Sequence, residues 1–293
     1  MIITVAALEA LRTGFKTNFQ AGLGTAGAVA EQISTEVPST TKIETYGFLG
    51  DMPIFRKWLG EKRIKSMQEK AYQLQNDDFE ATLGIHKNKI ADDNLGLYGP
   101  IVTGWGQEAG NLKDRLCFDA LKVGHQSLCY DGQYFFDTDH VVNGVTYSNI
   151  DTTGAVQPWY LMCLSKPLKP ILYQKRQAPS FDMITDPKSD HVFKTGEYLM
   201  GAEARGGAGY TYWQLAYRST ATLNAANYEL AKQAMYAVTN DEGEPLAIRP
   251  THIVVGSSNQ SAAKALFAKP NLVGGESNTY DKELVIIEAP RLP

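Results

Sequence analysis

Apolar positions near the N-terminus recur at three- and four-residue steps. Val5, Leu8, Leu11, Phe15 and Phe19 share one helical face, with Arg12 and Lys16 between them, a spacing that predicts an amphipathic helix. Residues 22–30, rich in glycine and alanine, are expected to break it, and 34–41, with Pro38, to form an extended connection. This opening carries little apolar mass and reads as an arm that packs on something else. Between 63 and 90 the period changes to two. Phe79, Ala81, Leu83 and Ile85 alternate with Asp78, Glu80, Thr82 and Gly84; Tyr72 and Leu74 alternate on a preceding limb; Gln75, Asn76, Asp77 and Asp78 supply turn chemistry. The pattern predicts a long two-stranded hairpin with its tip within 73–79. An isolated hairpin is marginal in water, so its apolar stripe needs a neighbour, in the same chain or in another copy.

Helical spacing returns after Asp92, Asp93 and Asn94, which offer a cap before Ile101, Val102, Trp105, Ala109 and Leu112. Pro100 either kinks this helix or marks its start. A second helical stretch runs through Leu116, Leu121 and Val123 and is closed by Gly124. Residues 125–156 are turn-rich and aromatic. Strand-like runs follow at 171–173 and 210–217, a helix at 222–238, a buried strand at 253–255 leading into a helix at 261–267, and another buried strand at 284–287. No internal repeat or low-complexity tract interrupts the chain. The class is α+β with long-range strand pairing.

Composition narrows the function. Of 293 residues, 43% are hydrophobic and 20% charged, enough for a core and against wholesale disorder. Thirty-two acidic residues against 28 basic ones give a net charge of -4, and no dense basic run exists, which argues against sequence-specific DNA binding. Cys117, Cys129 and Cys163 are widely spaced, against a disulfide framework or zinc knuckle. No stretch approaches the ~18 apolar residues of a membrane span, and the N-terminus lacks signal-peptide character. The chain reads as soluble and not exported by a standard signal.

Chemical motifs are present but incomplete. Gly22, Gly24 and Gly27 match G-x-G-x-x-G, yet follow a predicted helix rather than the strand a dinucleotide fingerprint requires. Arg205 and the glycines at 206, 207 and 209 lack a P-loop ending and read as a turn before a strand. Asp137, Asp139 and His140 offer donors for a divalent cation, with His125 and His191 available in space, but without metal-motif spacing; the competing reading is a loop of turn-capping carboxylates and core aromatics. Cys129 has no adjacent base that would mark a nucleophile, and His252 reads as a hydrogen-bonded core histidine.

Four segments then stand out in order: 45–50 (TYGFLG), 92–98 (DDNLGLY), 129–140 (CYDGQYFFDTDH) and 250–255 (PTHIVV). With 198–202, Arg205, 208–210, Trp213, Gln214, Gly243, Pro245, Leu246 and 249–252, they resemble the major head protein of Mu-like phages along nearly the whole chain. The C-terminus, which stops soon after 287, and the 141–156 region depart from that pattern. The resemblance implies the Hong Kong 97-like capsid fold: an N-terminal arm (1–45), an extended hairpin-loop region (46–91), a peripheral domain with a spine helix (92–124 and 157–220), and an axial domain (125–156 and 221–293). It implies a major capsid protein that self-assembles, as hexamers and pentamers, into the icosahedral head of a tailed phage, without catalytic residues, cofactor or metal. Implied partners are other copies of the chain, portal and scaffold proteins, non-specifically held double-stranded DNA and a decoration protein, with assembly in the host cytoplasm and no membrane. Candidate inter-subunit residues are those of the hairpin: Tyr72, Leu74, Asn76, Asp77, Phe79, Leu83 and Ile85. Lys65 and Lys70 are candidates for a Lys–Asn cross-link, against a plain solvating role. The alternatives are a shell protein of a gene-transfer particle or nanocompartment, or a metal-dependent hydrolase using Asp137, Asp139 and His140.

Overall fold

Helix α1 (Val5–Thr25) opens the chain. The computed structural model describes residues 4–27, 29–48, 70–92, 95–186, 188–240, 242–271 and 274–293. Thr4 caps α1 by accepting from the Ala7 amide at 3.1 Å, and Leu8, Phe15 and Phe19 are buried as the periodicity predicts. The expected break at 22–30 begins later, because the helix continues to Thr25. Short helix α2 (Ala30–Ile33) leads into strand β1 (Ser34–Pro38). Strands β2 (Ile43–Phe48), β3 (Lys70–Gln75) and β4 (Asp77–His86) follow, then helices α3 (Lys87–Ala91), α4 (Leu95–Gly110) and α5 (Leu112–Val123). Pro100 lies inside α4, and the anticipated cap residues Asp93 and Asn94 are outside the described residues. The second half holds β5 (His140–Val142), β6 (Val145–Tyr147), β7 (Ile150–Asp151), β8 (Trp159–Met162), β9 (Ile171–Ile184), α6 (Asp190–Thr195), β10 (Glu197–Tyr210), β11 (Ala216–Ser219), α7 (Ala225–Ala237), β12 (His252–Val255), α8 (Gln260–Phe267) and β13 (Val285–Glu288).

Two sheets organise these elements. The first has the order β1-β9-β10-β4, with β1 parallel to β9 and the other pairs antiparallel. The second has the order β13-β12-β8-β11-β7. Residues 157–220 therefore divide between the sheets, since β8 and β11 pair within the second. The run 210–217 is not one strand: a 3-10 turn at Trp213–Leu215 separates β10 from β11, so Tyr210 and Tyr217 belong to different sheets.

The N-terminal segment packs on other parts of the chain. Phe19 packs on Trp105 of α4 and Phe181 of β9, with ring centroids 5.9 and 5.3 Å apart. Glycines make the close contact between α1 and α4. A Cβ on Gly22 would overlap the Thr103 carbonyl oxygen, and one on Gly106 that of Phe19. The G-x-G-x-x-G match is thus explained by helix packing at Gly22. Downstream, the buried carboxylate of Asp114 on α5 accepts from the amides of Val29 and Ala30 at 3.1 and 2.9 Å, satisfying the open N-terminus of α2.

The expected hairpin is corrected most. β3 pairs antiparallel with β2, from Ile43↔Gln75 to Phe48↔Lys70, whereas β4 pairs with β10. Only Asn76 separates β3 from β4, so the turn chemistry at 75–78 passes the chain from one sheet to another. Residues 49–69, which join Phe48 to Lys70 and include Lys65, lie outside the described residues. The glycines at 206, 207 and 209 are in strand β10, not a turn. The ribbon crosses there: a Cβ on Gly207 would lie 2.5 Å from the Gln75 carbonyl oxygen, and one on Gly209 would overlap the Tyr72 hydroxyl.

Candidate functional site

Tyr72, Leu74 and Asn76 sit on the ribbon and its base, while Asp77, Phe79, Leu83 and Ile85 belong to β4; the structure does not bring them into one hairpin. Leu74 is buried against the glycines of β10. The Tyr46 hydroxyl donates to Gln174 Oε1 at 2.7 Å, and Gln174 Nε2 donates to the Leu74 carbonyl at 3.3 Å. Gln174 is fully buried, so this pair fastens the ribbon to β9. Burial pushes the Tyr46 phenol up to about 12.

Asn76 anchors the ribbon's base. Its buried side-chain Nδ2 donates to Ser39 Oγ at 2.7 Å and to the Thr41 carbonyl at 2.8 Å, while its backbone N–H donates to Lys42 O at 2.8 Å. In the same turn Glu44 Oε1 accepts from Thr40 N at 2.7 Å, Thr41 N at 2.9 Å and Ser39 Oγ at 2.9 Å. The backbone amides of Thr41 and Thr40, with the Ser39 hydroxyl, hold the Glu44 carboxyl down to about 2. The sequence held no local signal for Gln174, whose partners Leu74 and Tyr46 are 100 and 128 residues away.

Strand β4 is the outer strand of its sheet. Its Ile85 is buried and Phe79 half-buried, with the Arg115 guanidinium 5.6 Å from the Phe79 ring centre. Leu83 remains 38% exposed, so the apolar stripe is only partly covered within the chain.

The chemically suggestive segment folds differently from its expected metal set. Asp137 spends its carboxylate on the amides of Tyr134 and Thr138 at 3.1 and 2.8 Å, and Asp139 is exposed. His125 bonds the Lys122 carbonyl at 3.0 Å, and His191 lies on α6. His140 instead pairs with Asp131, Nδ1 to Oδ2 at 2.7 Å, and Cys129 Sγ donates to Asp131 Oδ1 at 3.0 Å. The His140 ring stacks on Trp213 with centroids 4.0 Å apart and planes 7° off parallel. Among the described residues Cys129, Asp131 and His140 are the group whose ligand atoms converge, all within 4.8 Å, and these three could hold a cation. The atoms already hydrogen-bond one another. Burial pushes the Cys129 thiol up, with the Asp131 charge adding to it, which disfavours the thiolate both a metal and a nucleophile role need. Burial works against ionised Asp131, but hydrogen bonds from His140 and Cys129 leave its carboxyl below the usual range. The arrangement is a buried clasp that ties 129–140 to Trp213. Asn149, which donates to Phe135 O at 2.8 Å and whose Oδ1 accepts from Asp137 N at 2.8 Å, closes the same loop.

A ribbon braced from its base and an outer strand whose apolar stripe is only partly covered mark the open margins of the described residues. The comparisons give the family. A profile described as "Mu-like prophage major head subunit gpT" matches residues 8–292. The chain is 40% identical over 278 residues to the Mu-like prophage FluMu major head subunit of Haemophilus influenzae, covering 91% of this chain and 90% of that protein. It is 36% identical over 309 residues to the major capsid protein of Escherichia phage Mu, covering all of both. Among solved structures it matches the procapsid of bacteriophage JBD30 at TM-score 0.86 and 40% identity, covering 98% of this chain and 99% of that one. The JBD30 capsid decorated with minor capsid protein trimers matches at TM-score 0.81 and 31% identity, over all of both chains. The chain belongs to the Mu-like prophage major head subunit family, and its fold is the Hong Kong 97-like α+β capsid fold.

Proposed function

We infer that this chain is the major capsid protein of a Mu-like phage and that copies of it build the icosahedral head shell around the genome, with no chemistry of its own. The observation that carries the reading is likeness along the full length, in sequence and fold, to the major capsid protein of phage Mu and to the JBD30 shells. The peripheral part corresponds to the sheet β1-β9-β10-β4 with α1, α4 and α5, and the axial part to the sheet β13-β12-β8-β11-β7 with α7 and α8. The β2/β3 ribbon and the uncovered stripe of β4 are the inter-subunit elements: each presents backbone or apolar surface that a neighbour completes. Portal, scaffold and decoration proteins are its further partners in the host cytoplasm. The decorated JBD30 shell supports the last of these. Packaged DNA meets a net acidic chain without specific grip.

The test is negative-stain microscopy with sedimentation velocity on the purified chain, with and without a co-expressed scaffold. Shells or rings are expected, and a strict monomer under both conditions sinks the reading. Joining Phe48 to Lys70 by a short Gly/Ser linker in place of 49–69 leaves the β2/β3 pairing closed. The linked chain is expected to stay folded and to form no shells, and normal shells would remove the ribbon's assembly role.

A further inference from the structure

Arg218, the third residue of β11, is a buried cation with no carboxylate partner among the described residues. It is 8% exposed, and its Nε has no hydrogen-bond partner. No carboxylate of the described residues lies within ion-pair distance of it. The acid nearest in strand register, Asp151, follows Ile150, which pairs with Arg218. That carboxylate is taken by the amide and hydroxyl of Thr153 at 2.9 and 2.7 Å and by the Ser219 hydroxyl at 3.2 Å. A helix C-terminus can also stabilise a cation, and α5 ends at Val123, two residues before His125. Its last carbonyls are already engaged: Ala120 by the Tyr210 hydroxyl at 2.7 Å, Leu121 by Gly124 N at 3.4 Å, Lys122 by His125 Nδ1 at 3.0 Å and Val123 by Gln126 N at 2.8 Å.

Tyr160 pairs directly across from Arg218 in β8, on the same face of the sheet, and Arg218, through its charge and a side-chain hydrogen bond, offsets part of the burial that raises the phenol. His125, half-buried two residues past the end of α5, is held below its usual pKa by burial and then by Arg218. An unpaired guanidinium drawn out of water is costly unless a partner arrives.

We propose that Arg218, with Tyr160 across the strand and His125 beside it, is a receptor for one oxyanion, a carboxylate or a phosphate. Arginine's planar fork suits both in bidentate geometry. The anion arrives either as a free ion or as a carboxylate of a neighbouring copy in the shell. The second source rests on the assembly reading above; the first does not.

The experiment compares the full-length chain with Arg218→Met. The Tm of each unassembled subunit is measured in sodium phosphate and in sodium chloride of equal ionic strength, and each is then examined for shells. In chloride, Arg218→Met is expected to melt no lower than the natural chain, because it removes an uncompensated charge. A phosphate-specific rise of about 2 °C in the natural chain, absent in Arg218→Met, assigns a free anion. No rise, with shells lost only in the variant and its Tm kept, assigns a neighbour's carboxylate. A lower Tm for the variant in chloride overturns the proposal, because the charge is then compensated within the subunit. So does a variant matching the natural chain in both phosphate response and shell yield. A natural chain that forms no shells fails the assembly reading instead, and the phosphate arm alone then decides.

Discussion

Gly106→Ala tests the packing of α1 on α4. In an isolated helix this change is favourable by about 1 kcal/mol, because glycine spends more backbone entropy than alanine. Here the new Cβ would overlap the Phe19 carbonyl oxygen and lie 2.9 Å from its carbon and 3.0 Å from Leu23 N. All three are backbone atoms, so no side-chain rotation relieves the clash and the helices must part by about 1 Å. A gap of that order forfeits roughly a quarter to a half of the dispersion attraction across it. The contact holds Leu8, Phe15 and Phe19 buried, each contributing about 1.5–3 kcal/mol; a quarter of that sum is about 1–2 kcal/mol. Overpacking adds about 1–3 kcal/mol. After the gain in helix propensity, a net loss of about 2 kcal/mol is expected. Gly104, two residues earlier in the same helix, has open space where its Cβ would go, and Gly104→Ala is expected to stabilise by up to about 1 kcal/mol. Urea unfolding of the unassembled subunit, followed by tryptophan fluorescence, reads both. If Gly106→Ala raises the midpoint as Gly104→Ala does, the close-contact argument is wrong.

Asn76→Ala removes both side-chain bonds at the ribbon's base and is expected to cost about 1–3 kcal/mol, with faster amide exchange along β2 and β3 than along β9; uniform exchange would contradict the anchoring role. Glu44 is expected to titrate near pH 2 by carboxyl-carbon NMR. Its folded pKa lies below the unfolded value, so the stabilisation it brings is full above about pH 4.5, fades as pH falls toward 2, and is absent in Glu44→Gln; a Glu44 pKa near 4.5 would remove the clamp. Cys117, Cys129 and Cys163 are all buried and unbridged, and burial pushes the Cys117 thiol up to about 12. A thiol reagent is expected to find no rapidly reacting group in the native chain and three after unfolding, and a fast native thiol at Cys129 would reopen the nucleophile reading.

Elements whose signal is local were legible in the sequence. The face of α1 through Leu8, Phe15 and Phe19 and the buried strand β12 follow from patterns within one segment; β13 forms where the apolar run predicts a strand, but at the end of its sheet it leaves Val285 56% exposed and only Ile287 buried. Strand pairing was not legible. Alternation on both sides of Asn76 has the form of a hairpin, but the same alternation arises when one residue hands the chain from a ribbon to a sheet. The partner that decides between them, β2, lies on the far side of residues 49–69. The glycines of β10 misread for the same reason: their meaning is the passage of β3 overhead, more than 130 residues away in sequence. Asp137 and Asp139 were attractive because they adjoin His140, yet strand β5 turns the imidazole inward to Asp131 and leaves the nearer carboxylates on the loop.

The subunit's loose ends are consistent with one another. A chain that ended its folding as a monomer would cover Phe193, which is 83% exposed, and Leu97, which is 70% exposed, and would blunt the outer edge of β4 with charge or a bulge. Strand β4 carries Asp77, Asp78 and Glu80 at one end of that edge, but no charge from Ala81 to Ile85 and no bulge in its pairing with β10, which runs unbroken from Glu197↔His86 to Gly206↔Asp77. Meanwhile the parts that must not yield are fixed from within: Gln174 and Asn76 brace the ribbon, Asp114 closes α2, and the His140–Asp131 pair seals the loop over Trp213. Rigidity at the base and incompleteness at the margin are what a shell subunit requires, because a neighbour can add its surface only to elements already held in place. The same division covers the Cys129–Asp131–His140 group. Burial that makes a carboxylate or thiol unusual also removes it from any substrate, and Cys129 and Asp131 are buried by the loop they themselves hold closed.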